Sequence, residues 1–144
     1  MKTKLFLVFA LVAILGVMGA CAKAQGAPPE VNVVISNDEF LNNKDIAKEV
    51  EVAVDGIVTV TLASNPSTGF SWPEIAQISN GAVLQQTSHE YVAPQGTAIG
   101  APGNEVWTFK ALTKGSTMVE MQYNRPWVGG EKGEWSFQLT IVVK

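Results

Sequence analysis

Cys21 is the only cysteine in this 144-residue chain. With no second thiol, an intrachain disulfide, a cysteine pair for redox chemistry and a thiolate-built metal site are all excluded. Histidine is as scarce: His89 stands alone, in a polar strand-like stretch, and is expected to face solvent rather than serve as a general base or metal ligand. Basic clusters are missing too. Ten Lys and Arg stand against thirteen Asp and Glu, a formal charge of −3, which argues against nucleic acid as a partner. Glu49 and Glu51 are a carboxylate pair in sequence, but they alternate with valines as the solvated face of a strand does. No hydroxyl is set beside a base, so nothing here suggests an enzyme, a cofactor or a metal.

The one long apolar run covers residues 5–20, carries no charge and follows Lys2 and Lys4. It is too short to span a bilayer securely and has the pattern of an export signal, expected over residues 1–24. Two ends of that signal are possible. Met18-Gly19-Ala20-Cys21 resembles a lipobox, which would place a lipid anchor on Cys21, while Ala22-Lys23-Ala24 offers a small-x-small site for plain secretion. The expected product is an exported protein, either a cell-envelope lipoprotein or a secreted one, and nothing points to more than a monomer. Residues 25–30, with Pro28 and Pro29 adjacent, read as a tether, and residues 31–144 as one domain large enough for a real core.

Within that domain the apolar period is two. Residues 31–35 form a first short strand, followed by a polar loop over 36–48 around the apolar pair Phe40 and Leu41, which drops an anchor into the core and has room for one helical turn. Val50, Val52 and Val54 alternate, Asp55-Gly56 turns the chain, and Val58, Val60 and Leu62 alternate in turn, which predicts a β-hairpin. Phe70, Trp72 and Ile75 begin a further strand, and residues 82–92 and 106–111 are two more. Val119, Met121 and Tyr123, then Trp135, Phe137, Leu139, Ile141 and Val143, complete the set. Short antiparallel strands with turn signals at this spacing predict an all-β sandwich, with Trp72, Trp107 and Trp135 in its core.

Three loops stand apart from the alternation. In the first, Asn65, Pro66, Ser67, Thr68, Gly69 and Phe70 combine a side-chain acceptor, a fixed φ, two small hydroxyls and a glycine free to adopt positive φ. This is either a well-formed interstrand turn or a small stiff tip built for presentation. The second lies in the low-pattern stretch 91–104 and holds Gly100, Ala101, Pro102 and Gly103, where glycines allow close backbone approach or plain flexibility. The third is Arg125, Pro126 and Trp127, ahead of Gly129 and Gly130. Trp127 is off the core alternation, so it is either an exposed anchor or a lid on the end of the core. Arg125 either meets a partner or, the preferred reading, braces its own loop. Loops after alternate strands of a Greek-key sandwich can cluster at one end and form a binding surface.

Taken together, the three loops resemble the chagasin-like inhibitors of papain-family cysteine peptidases. Residues 65–70 match that family's Asn-Pro-(Ser/Thr)-Thr-Gly-(Tyr/Phe) motif, residues 100–103 its Gly-x-Gly-Gly, and residues 125–127 its Arg-Pro-Trp, in the same order and at similar spacing. Pro102 stands where the family has glycine. The resemblance implies an immunoglobulin-like sandwich whose loops form a wedge in the peptidase's active-site cleft. Thr68 would then lie nearest the catalytic Cys and His, Trp127 would stack on the primed side, and the Gly100 loop would line the unprimed side. Inhibition would be reversible occlusion without chemistry. A rival expectation is an envelope-tethered sandwich that binds a polysaccharide or surface protein through Trp127 and Tyr91.

Overall fold

A computed structural model describes residues 26–96 and 98–144. The expected export signal, Gln25 and the lipidation candidate Cys21 lie outside the described residues. The strands are β1 (Glu30–Ile35), β2 (Asp45–Val52), β3 (Ile57–Ser64), β4 (Gln77–Ile78), β5 (Leu84–Val92), β6 (Gly103–Ala111), β7 (Gly115–Tyr123) and β8 (Trp135–Val143), with one short helix, α1 (Asn37–Asn42), between β1 and β2. They form two four-stranded sheets, ordered β1-β3-β6-β5 and β2-β8-β7-β4. This is the expected β-sandwich. Pairing is antiparallel inside both sheets, while the edge pairs β1-β3 and β2-β8 are parallel.

The core lies between the sheets. β6 buries Glu105, Trp107, Phe109 and Ala111 in strict alternation, and β8 answers with Phe137, Leu139, Ile141 and Val143. Trp72 is buried as well, and Trp135 is half-buried against the same cluster. Under the loop end of the sandwich, the rings of Phe40, Phe70, Trp72, Tyr123 and Trp135 form one aromatic cluster with centroids 4.9–6.0 Å apart.

Two local expectations need correction. β2 and β3 are not a hairpin: β2 pairs with β8 and β3 with β1 and β6, so Asp55-Gly56 carries the chain from one sheet to the other. The turn is held by other strands, with Asp55 N–H donating to Ala111 O and Val54 N–H to Lys144 O. The apolar residues of β2 and β3 belong to opposite sheets instead of lying side by side in one. Second, the segment after Phe70 is not a continuous strand. Ser71 bridges Asn124, the chain then leaves the β7 edge, and only β4 returns to it, which leaves Ile75 exposed while Phe70 and Trp72 are buried. The expected helical turn is present as α1, capped by Ser36 Oγ accepting from Glu39 N–H at 3.2 Å, with Asp38 and Glu39 in its first turn. Phe40 is the buried anchor, but its neighbour Leu41 faces solvent.

Candidate functional site: three loops at one end

The first loop leaves β3 at Ser64 and winds one 3-10 turn over Pro66–Thr68. Each polar atom of Asn65 is used. Its N–H donates to Tyr123 Oη at 2.8 Å, Oδ1 accepts from Ser67 N–H and Oγ, and Nδ2 donates to Gly100 O at 3.0 Å. Thr68 Oγ1 donates to Asn65 O at 2.7 Å, and Gly69 closes the turn at φ +80°. Proline pre-sets the turn, the Asx bonds replace missing ladder bonds, and glycine takes the left-handed position. Pro66, Ser67 and Thr68 are exposed at the apex, whereas Phe70 turns inward to the aromatic cluster. The loop is therefore both a formed turn and a presented tip.

The second loop reaches the first through that Asn65 to Gly100 bond. Gly100 has φ +80°, and Ala101 N–H donates to Ala98 O. Gly103 is where space is tightest: a Cβ there would stand 2.5 Å from Val92 O and 2.6 Å from Tyr91 Oη. The hydroxyl end of Tyr91 thus lies over Gly103, while the side chain remains 45% exposed. Pro102 is exposed beside the first loop.

The third loop is braced from several sides. Arg125 Nη2 donates to Thr68 O at 3.2 Å, its Nη1 meets Glu131 Oε2 at 2.7 Å, and its guanidinium lies 4.6 Å from the Phe70 ring centroid. Bracing is thus its role within this chain. Lys132 Nζ donates to the carbonyls of Arg125 and Trp127, and Gly130 N–H donates to Trp127 O. Trp127 itself is 52% exposed. One edge of its ring covers Gly69, with Cη2 at 2.6 Å from a would-be Cβ. Trp127 thus rests on the neighbouring loop rather than on the core cluster, and the remainder of the side chain is exposed.

All three predicted loops therefore meet at one end of the sandwich, tied by Asn65 to Gly100, Arg125 to Thr68 and Trp127 to Gly69. The sequence reading missed the residues that hold them: Tyr123 beneath Asn65, and Glu131 and Lys132 behind Trp127. It also misplaced His89. Its Nε2 lies 2.9 Å from Glu105 Oε2 and its ring packs at 4.9 Å on Trp107, inside the sandwich mouth. The partner sits on a neighbouring strand sixteen residues away, so no local signal marks it. Ser64 Oγ donates to the same carboxylate and not to His89, so the trio is no activated nucleophile.

The profile of the chagasin family peptidase inhibitors, I42, matches residues 51–141, which contain all three loops. The chain belongs to the chagasin family. Its members are peptidase inhibitors rather than enzymes. Among relatives, amoebiasin-2 of Entamoeba histolytica is 25% identical over 105 residues, covering 73% of this chain and 85% of that protein. Chagasin of Trypanosoma cruzi is 32% identical over 80 residues, covering 54% of this chain and 73% of chagasin. In structure, the Entamoeba histolytica cysteine protease inhibitor EhICP2 superposes with a TM-score of 0.64 at 19% identity, over 82% of this chain and all of EhICP2. PbICP-C, solved in complex with falcipain-2, gives 0.56 at 15% identity over 79% of this chain and 98% of its own. These likenesses extend the sandwich beyond the motifs.

Proposed function

We propose that this protein reversibly inhibits papain-like cysteine peptidases by filling the active-site cleft with its three loops. The observation that carries this reading is the mutual bracing of the loops, which makes one preformed wedge of residues 65–70, 100–103 and 125–127. A wedge already ordered in the free protein loses little conformational entropy on binding. Its leading edge holds nothing larger than Thr68, so it fits a narrow cleft, and the exposed part of Trp127 supplies apolar contact to one side. The 3-10 turn also protects the loop, because a backbone wound in this way does not offer a carbonyl in near-attack geometry to the peptidase thiolate. The relatives' own descriptions support the target class: EhICP2 is a cysteine protease inhibitor, and PbICP-C was solved with falcipain-2.

Titration of the protein against papain with a fluorogenic substrate tests this. Stoichiometric inhibition that reverses on dilution is the expected result, and no inhibition of several papain-like enzymes at micromolar protein overturns the reading. The same reading has the domain act as a monomer outside the cytoplasm, exported by a signal within residues 1–24 that ends directly before Cys21 and leaves it as the lipid anchor. Its support is the uncharged run after Lys2 and Lys4 and the single cysteine placed directly behind it. Cys21→Ser should then move the protein from the membrane fraction to the soluble one; unchanged fractionation argues for plain secretion.

A further inference from the structure

Glu105 lies inside the mouth of the sandwich, only 6% exposed, among residues that are otherwise apolar. Both of its oxygens are occupied: Oε1 accepts from Ser64 Oγ at 2.6 Å, and Oε2 lies 2.9 Å from His89 Nε2. The two partners lie on β3 and β5, the strands on either side of the β6 that carries Glu105, so the trio spans three adjacent strands. Each of those strands feeds a loop of the wedge. Ser64 is the last residue of β3 and directly precedes Asn65, β5 leads into the second loop, and β6 begins at Gly103 where that loop ends. An apolar side chain would fill the same volume without desolvating a charge, so a carboxylate here is weakly explained by stability alone. What it supplies is direction, because two short bonds from one planar group fix where the ends of β3 and β5 sit relative to β6.

We propose that Glu105, with Ser64 and His89, is a positioning element that sets the spacing between the first and second inhibitory loops. It touches no partner. It acts through Ser64 on Asn65, whose side chain spans to Gly100 O. This inference rests on the inhibitory reading above for its effect on affinity, but its structural part can be measured on the free protein.

The variant of choice is Ser64→Ala, which removes one oxygen and almost no volume. Amide exchange at Thr68 and Gly69 should accelerate about tenfold, as expected when one bond to a buried carboxylate is lost, while exchange in β7 and β8 stays at the wild-type rate. The inhibition constant against papain should rise by a similar factor. Combined with Thr68→Ala, the loss should be less than the product of the two single losses, since both act on one loop. Glu105→Gln keeps an acceptor for Ser64 and a donor for His89 and should stay close to wild type, whereas Glu105→Leu should reproduce the Ser64→Ala pattern. Exchange that accelerates uniformly across the sheets, or does not change in the loop, overturns the proposal. If the wild-type protein inhibits no papain-like enzyme, the function reading fails, and loop exchange alone decides the role of Glu105.

Discussion

At Gly69 the backbone takes φ +80°, and the Trp127 ring fills the space where a side chain would begin. Two separate penalties therefore meet there. Alanine at this position would adopt a strained conformation at a cost of about 1–2 kcal/mol, and its methyl group would push the indole off the first loop. Gly69→Ala should lower the melting temperature by several degrees and weaken inhibition of papain more than stability alone accounts for; unchanged inhibition would mean that Trp127 need not rest on Gly69. Trp127→Ala separates the two effects. Half the indole is already in water, so truncation should move the melting temperature by no more than about 5 °C. Loss of an anchor of this kind typically costs about 2 kcal/mol or more of binding, roughly a 30-fold rise in the inhibition constant. A large thermal loss with little change in inhibition would instead make Trp127 a lid of the core.

At the scale of the element, period-two alternation located β8 and the cores of β6 and β7, because each strand buries one face and wets the other. The same signal misled at β2 and β3. Alternation states which residues face inward, and strands that pack across the core look like strands that pair within a sheet. The long-range ladders of β2 with β8 and of β3 with β1 and β6, and the bonds of Val54 to Lys144 and Asp55 to Ala111, separate the two cases, and no residue type announces them. The loops were legible for the opposite reason. Asn65, Pro66, Gly69 and Gly100 each satisfy a backbone requirement set locally, whereas the close approach of Tyr91 and Val92 to Gly103, the Glu105 to His89 contact and the Lys132 brace depend on contacts that sequence does not display. Lys132 makes its contribution testable. Its ammonium gathers the carbonyls of Arg125 and Trp127 on an exposed face, where water can replace it at little cost. Lys132→Met should leave stability within about 1 kcal/mol of wild type. It should also raise the dissociation rate from papain several-fold with little change in the association rate, since the contact surface remains and only its order is lost. A rate pair measured by surface plasmon resonance decides this.

Across the whole molecule, the sandwich works as a handle for one end. The aromatic cluster of Phe40, Phe70, Trp72, Tyr123 and Trp135 lies directly beneath the loops, and Tyr123 passes its hydroxyl from that cluster to the backbone of Asn65. Core packing is thereby transmitted to the tip through a single hydroxyl. On the proposed function, a wedge ordered in this way needs nothing from the peptidase except a cleft of matching shape. No atom of the inhibitor has to be attacked, and Thr68 presents only a hydroxyl already bonded to Asn65 O. Binding should therefore persist when the target's catalytic thiol is absent. A papain-like peptidase whose active-site cysteine is replaced by alanine should bind within about threefold of the active enzyme's affinity, a difference below 1 kcal/mol. After prolonged incubation with active enzyme, the inhibitor should be recovered at its original mass. A loss of affinity of a hundredfold or more with the inert peptidase, or a cut between residues 65 and 70, would show that the first loop engages the thiolate as a substrate does, and that the rigidity of its turn is not what keeps it whole.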